Sequence, residues 1–226
     1  MANVKLIACT APYKELGMKD LVQFIAYCAR VSNPGNQQND GTSYKLLRYL
    51  IDHHHWSPFE MGSLCLEIKT TRDIGRQILR HRSFSFQEFS QRYAEVVGFD
   101  GVQREARLQD SKNRQNSLET DDQGLDELFK SRQVEQQFLA SENYRWALSQ
   151  GIAKEQARCF LPEGLTPTTM YMSGTLRSWI HYIQLRTDPS TQKEHRQVAE
   201  ECSIAIAPVF PMIQEFVGGK NGSLES

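Results

Sequence analysis

Neither Gly-x-Gly-x-x-Gly nor a Gly-Lys-Ser/Thr loop occurs in the 226 residues. The two common backbone cradles for a pyrophosphate are therefore missing, and such a group would have to be held by cationic side chains. No apolar run approaches the roughly 18 residues that a membrane-crossing helix needs. The N-terminal Val4-Lys5-Leu6-Ile7-Ala8-Cys9 run is only strand length, which argues against a signal peptide. Cysteine is sparse and unpatterned. Cys9, Cys28, Cys65, Cys159 and Cys202 are odd in number and widely spread, with no Cys-x-x-Cys spacing, which argues against a disulfide framework and a zinc site. Reduced thiols and a cytosolic setting, or a host cytosol, are the expectation. A charge bias is missing too: 26 Lys and Arg stand against 27 Asp and Glu, so nothing global draws the chain to nucleic acid or an anionic membrane. Any anion site must be local.

Length, with no repeat and no low-complexity linker, fits one domain over residues 1–217 and a disordered Gly-rich tail over 218–226. Val4 to Thr10 reads as a strand. Lys19-Asp20 opens a helix with the stripe Leu21, Ile25, Cys28, Ala29, which the Asn33-Pro34-Gly35-Asn36 cluster stops. Thr42 or Ser43 caps a second helix whose last turn holds His53, His54 and His55. Adjacent helical positions diverge by about 100°, so those imidazoles cannot converge on one metal ion. Ser63 to Thr70 alternates as a strand, and residues 98 to 124 form a long polar excursion, either functional or mobile. Asp121 or Asp122 opens a long helix to about Ser149, and a short one from Ala153 to Leu161 carries Arg158. Thr166 to Tyr171 is β-prone. Ser173 or Thr175 then caps a helix with the stripe Leu176, Trp179, Ile180, Ile183, and Arg186 falls on that same stripe. The last helix runs from Ser190 toward Ala207. This pattern is α+β, with a sheet flanked by helices.

Residues 72 to 93 hold the densest chemistry. Thr71 and Asp73 open a helix with apolar Ile74, Ile78 and Leu79, and Gln77, Arg80 and His81 share its final turn. The helix should fail near Arg82, where Ser83-Phe84-Ser85-Phe86 prefers extended backbone. Beyond it, Glu88, Ser90 and Arg92 would line one face of an extended segment, a row suited to a phosphorylated sugar. An isolated Arg-His-Arg is usually a solvated helix end. Here Phe84, Phe86 and Phe89 should be buried and draw the cations out of free solvent, where they need an anion.

The spacing Arg80-His81-Arg82, seven residues, Ser90-Gln91-Arg92-Tyr93 resembles the signature of the flavin-dependent thymidylate synthases of the ThyX type. The likeness extends through Ala29-Arg30-Val31-Ser32, His55-Trp56-Ser57-Pro58-Phe59-Glu60, Ala157-Arg158-Cys159-Phe160-Leu161-Pro162 and the segment Arg177 to Arg186. It implies a mostly antiparallel central sheet in a homotetramer with shared active sites. It also implies FAD as cofactor, dUMP as substrate, methylenetetrahydrofolate as carbon donor and NADPH as reductant. By the same resemblance dUMP would meet Gln77, Arg80, Glu88, Ser90, Arg92, Arg158 and Arg186, with Arg186 catalytic. FAD would meet Ser32, His55, Ser57, Arg80, His81, Arg82, Glu88 and His181. One departure stands out: many relatives have Asn where this chain has Thr175. From residues alone, a nucleic-acid-binding module using Arg80-His81-Arg82, or a non-catalytic flavin or nucleotide sensor, remains an alternative.

Overall fold

Asn3–Cys9 (β1) and Ser63–Thr71 (β2) pair antiparallel in the computed structural model, which describes residues 3–96 and 102–219. Ser85–Glu88 (β3) forms the far edge of the same sheet. Arg107–Gln109 (β4) and Ser117–Glu119 (β5) make a separate small hairpin, and Pro167–Thr175 (β6) completes the main sheet in the order β1-β2-β6-β3. Every neighbouring pair is antiparallel, so the expected architecture holds.

Seven α-helices are described: Leu21–Ala29 (α1), Ser43–Asp52 (α2), Arg72–Ile78 (α3), Gln123–Ser149 (α4), Lys154–Ala157 (α5), Leu176–Arg186 (α6) and Lys193–Ile206 (α7). Alternation decides which sheet face they cover. Leu64, Leu66 and Ile68 of β2 and Met170 and Met172 of β6 are buried with Ile25, Trp179, Ile183, Val198 and Cys202 in one core. Each large apolar side chain buried there stabilises the fold by about 1.5–3 kcal/mol relative to exposure. Trp179 also satisfies its indole N–H on the Leu64 carbonyl at 3.3 Å. A smaller core of Val96, Tyr144, Ala147, Ala157 and Leu161 joins α4 to α5. Elsewhere α4 leaves large apolar side chains in the open, Phe138 at 69% and Trp146 at 55% exposure. No helix among the described residues is long and apolar enough to cross a membrane.

Three caps match expectation: Asp20 accepts from Gln23 N, Asp122 from Leu125 N and Thr175 from Ser178 N. Two do not. The Thr42 hydroxyl accepts from Arg30 at 2.9 Å instead of capping α2, and Thr71 donates to Asp73 at 2.6 Å because that carboxylate is already drawn to Arg104. The three histidines do not fill the last turn of α2. The helix ends at Asp52, and His54 sits at φ 56°, throwing His55 past the helix end. The polar excursion is not structureless, since it contains the β4–β5 hairpin; its residues 98–101 lie outside the described ones. At the C-terminus Gly218 is held by its N–H on Thr187 Oγ1 at 2.8 Å, at a positive φ of 79° that glycine tolerates. The remainder of the expected tail, 220–226, lies outside the described residues.

Candidate active site

Helix α3 approaches β6 closely because Gly75 has no side chain: a Cβ there would stand 3.4 Å from both Glu88 Oε1 and Thr168 Cγ2. The helix stops at Ile78, one turn earlier than the sequence implied. Arg80 and His81 therefore lie in the following turn, where His81 N reaches Ile78 O at 3.0 Å and Phe84 N reaches His81 O at 3.3 Å. Phe84 anchors the turn. Its ring meets Trp179 edge-on at 4.8 Å and occupies the space over Gly174, where a Cβ would lie 2.4 Å from the ring. The side chains of Arg80 and Arg82 are consequently exposed, their guanidiniums without a hydrogen-bond or ion-pair partner among the described residues. His81 turns in.

The inward histidine meets the arginine of the apolar stripe: Arg186 Nε donates to His81 Nε2 at 2.9 Å. A guanidinium only donates, so this nitrogen carries the lone pair and the His81 ring is neutral. Burial, and then the charge of Arg186, push its pKa down to about 4. Arg186 has no carboxylate partner among the described residues, so its charge is oriented and left uncancelled. Tyr182 braces the His81 ring edge-on at 4.9 Å, and its hydroxyl lies 3.2 Å from Nε2 of His195. His195 is fully buried, and its Nδ1 is 3.2 Å from Oε1 of Gln77. Burial first, then the charge of Arg186 and the neighbouring His81 ring, bring its pKa to about 3.

A second group forms where α6 meets the 3-10 turn Ser57–Glu60. Glu60 accepts from Thr175 Oγ1 at 2.7 Å and from Arg177 Nη1 at 2.8 Å, and these bonds, Thr175 first, hold its carboxyl below the ordinary range. His181 meets Trp56 edge-on at 5.2 Å, and partial burial together with Arg177 lowers its pKa. Ser178 Oγ donates to Ser83 O at 3.4 Å, tying this group to the Arg80–Ser83 turn. Ser57, Arg82 and His181 thus belong to one end of the molecule. His55 is exposed beside them in sequence, and Ser32 is exposed in the turn after α1, with no hydrogen bond among the described residues linking it to the others. No cluster of three or more His, Cys, Asp or Glu capable of holding a metal ion occurs among the described residues.

The third group corrects the expected row of Glu88, Ser90 and Arg92. Strand β3 ends at Glu88, and the chain then turns, with Tyr93 N on Ser90 O at 3.1 Å. Glu88 faces inward to the buried Arg72 at 3.4 Å, to Arg76 at 4.0 Å and to the Thr168 hydroxyl at 2.9 Å. Ser90 Oγ instead accepts from Arg92 N at 3.4 Å. Arg92 is exposed and pairs with Glu155 at 3.2 Å, while Arg158 Nε donates to the Glu155 carbonyl at 3.2 Å, so one residue gathers both cations expected at a phosphate. Phe89 is not buried; it is 38% exposed, since β3 ends before it.

Sequence reasoning passed over Arg72, Tyr182 and His195. The last was detectable in principle: His195, Val198 and Cys202 share one face of α7, and an imidazole on an apolar stripe asks for partners just as Arg186 does.

Residues 17–212 match the profile of the thymidylate synthase complementing protein family. The chain is 50% identical over 211 residues to a probable flavin-dependent thymidylate synthase of Paramecium bursaria Chlorella virus 1, covering 93% of this chain and 96% of that one. It is 46% identical over 213 residues to a flavin-dependent thymidylate synthase of Synechocystis, covering 93% and 97%. Among solved structures it resembles the UMP/dUMP methylase PolB of Streptomyces cacaoi bound with 5-Br dUMP, with a TM-score of 0.79, 28% identity and coverage of 99% and 98%.

Proposed function

Because the chain belongs to the thymidylate synthase complementing protein family, we propose that it is a flavin-dependent thymidylate synthase. It methylates C5 of dUMP reductively, with methylenetetrahydrofolate as carbon donor and NADPH as reductant of FAD. The observation that carries this reading is Arg186, a half-buried guanidinium held by a neutral imidazole. Anchored by a carboxylate, its charge would be spent inside the protein; anchored by His81, it remains available to a ligand. Set against the uracil ring, Arg186 stabilises the negative charge that develops as C5 becomes nucleophilic. No cysteine is needed at C6, and burial of Cys202 pushes its thiol well above the ordinary range.

The donor set fits FAD. Arg80 and Arg82 are exposed cations whose guanidiniums have no partner among the described residues, suited to a pyrophosphate that the chain has no glycine loop to hold, and His55, Ser57, His81, Glu88 and His181 complete the set with Ser32. Bound there, FAD supplies the hydride of the reductive methylation. Ser90, Arg92 and Arg158 hold the dUMP phosphate, while Gln77, Arg80 and Glu88 position the nucleotide. Arg72 neutralises Glu88 from behind and fixes its orientation.

The protein works as a homotetramer with shared sites. In support, the exposed apolar side chains of α4 form the kind of surface a partner subunit covers, and the cationic groups lie open on a single chain. One catalytic domain spans 1–217, and its setting is the cytosol of a cell or an infected host. The test is direct: purified protein with dUMP, methylenetetrahydrofolate, FAD and NADPH should form dTMP. Protein that neither binds FAD, read from its visible absorption, nor makes dTMP would overturn the reading.

A further inference from the structure

A chain of hydrogen bonds runs from the surface to the interior behind Gln77, and its direction is set at one end. Glu194, in the first turn of α7, accepts from Arg107 of the β4–β5 hairpin. Burial alone would raise its carboxyl, but the bonds from Arg107 and Gln192 bring it below the ordinary range, so it is ionised and can only accept. The Gln192 amide must then present Nε2 to Glu194, at 2.9 Å, and Oε1 to Gln77. Gln77 is thereby forced to offer Nε2 to Gln192, at 2.7 Å, and Oε1 to His195, at 3.2 Å. His195 must carry its proton on Nδ1, leaving Nε2 to accept from the Tyr182 hydroxyl at 3.2 Å. Every amide orientation and the imidazole tautomer follow from one carboxylate.

We propose that the Glu194–Gln192–Gln77–His195–Tyr182 chain makes His195 and Glu194 positioning residues that lock the side-chain amide of Gln77 in one orientation for dUMP. The inference rests on the reading that Gln77 contacts dUMP. Gln77 spends one N–H and one lone pair on the chain and keeps one of each, on fixed sides, for a ligand. An unlocked amide would turn over, presenting an acceptor where dUMP meets a donor. This also gives the polar excursion a role, since its Arg107 anchors the carboxylate that sets the polarity.

The decisive variant is Glu194→Gln in the full chain with FAD bound. A glutamine at this position must turn its oxygen to Arg107, which only donates, and so offers its N–H to Gln192, which reverses the direction of the chain while the side-chain volume is kept. The dUMP KM is expected to rise about tenfold with kcat within about twofold, measured well below a thermal midpoint that should itself fall, because Arg107 loses its closer carboxylate and keeps Glu105 at 3.7 Å. His195→Gln preserves the polarity, its amide donating to Gln77 and accepting from Tyr182, and should keep a KM near the parent value, whereas His195→Phe should match Glu194→Gln. An unchanged dUMP KM in Glu194→Gln, or an equal rise in His195→Gln and His195→Phe, would overturn the proposal. Failure of the broader reading looks different, because the parent protein would then make no dTMP before any variant was compared.

Discussion

Two cationic regions of this chain are held in opposite ways. At the inner end of α6, Arg186 is fixed by His81, braced by Tyr182 and backed by buried His195. On the outer side, the guanidiniums of Arg92 and Arg158 meet Glu155 alone among the described residues, on a segment where Arg92 is 60% exposed. The inner charge is already half-buried and oriented before a ligand arrives, which suits transition-state stabilisation. The outer charges are solvated and loosely placed, an arrangement suited to gripping a phosphate that brings two negative charges. Inner residues should therefore govern turnover and outer residues affinity.

Arg186→Ala tests the inner half with the largest expected effect. Turnover should fall by about 10²–10³, the range seen when one oriented donor to a developing charge is removed, with a smaller loss in dUMP affinity. A weakened dUMP affinity with kcat unchanged would assign Arg186 to ground-state binding instead, and equal losses in both would count against a role confined to the transition state. Arg92→Ala tests the outer half: losing a charge-assisted bond should weaken dUMP binding about tenfold to a hundredfold, with kcat at saturation near the parent value. Unchanged dUMP affinity there would remove Arg92 from the phosphate site.

The same contrast explains what could be read from the sequence. The strands β2 and β6 and helices α1, α4, α6 and α7 were legible because their apolar side chains repeat at two or 3.6 residues, and Asp20, Asp122 and Thr175 mark their starts. Arg186 was legible as a charge on an apolar stripe. Where side chains compete for one another, local pattern fails: Thr71 abandons its cap because Arg104, 33 residues away, claims Asp73. Likewise, the row of Glu88, Ser90 and Arg92 breaks because Arg72 and Thr168 draw Glu88 inward and the chain turns after it. The polarity of the chain behind Gln77 depends on a carboxylate 117 positions away, which no local window contains.

Acidity should separate the two regions more gently. His81 at about 4 and His195 at about 3 lie below the ordinary 6.5, so the unfolded chain binds more protons than the folded one in that interval. Their contribution is present above about pH 6.5 and is lost as pH falls toward about 4. Removing one such histidine, as in His195→Gln, should flatten the rise of stability with pH by about 1.4 kcal/mol per unit between about pH 4.5 and 6, read from denaturant unfolding. Arg92→Ala should leave the slope as it was. An unaltered slope in His195→Gln would show that the buried ring is not held neutral.

The smallest expected change concerns Thr175, where the family resemblance leads to an expectation of Asn. Its hydroxyl donates to Glu60 and accepts from Ser178 N, so both of its hydrogen-bonding functions face the protein. In Thr175→Asn the carbonyl oxygen would take over the cap and one amide N–H the bond to Glu60, with a second N–H left over. Stability should therefore move by only a few tenths of a kcal/mol. If the turn at Glu60, Arg177 and His181 borders the flavin, that spare donor should tighten FAD binding about fivefold, the worth of one net hydrogen bond. Unchanged FAD affinity in a variant of unchanged stability would place the flavin away from this turn, leaving Arg80 and Arg82 to hold it from the other side of Ser83.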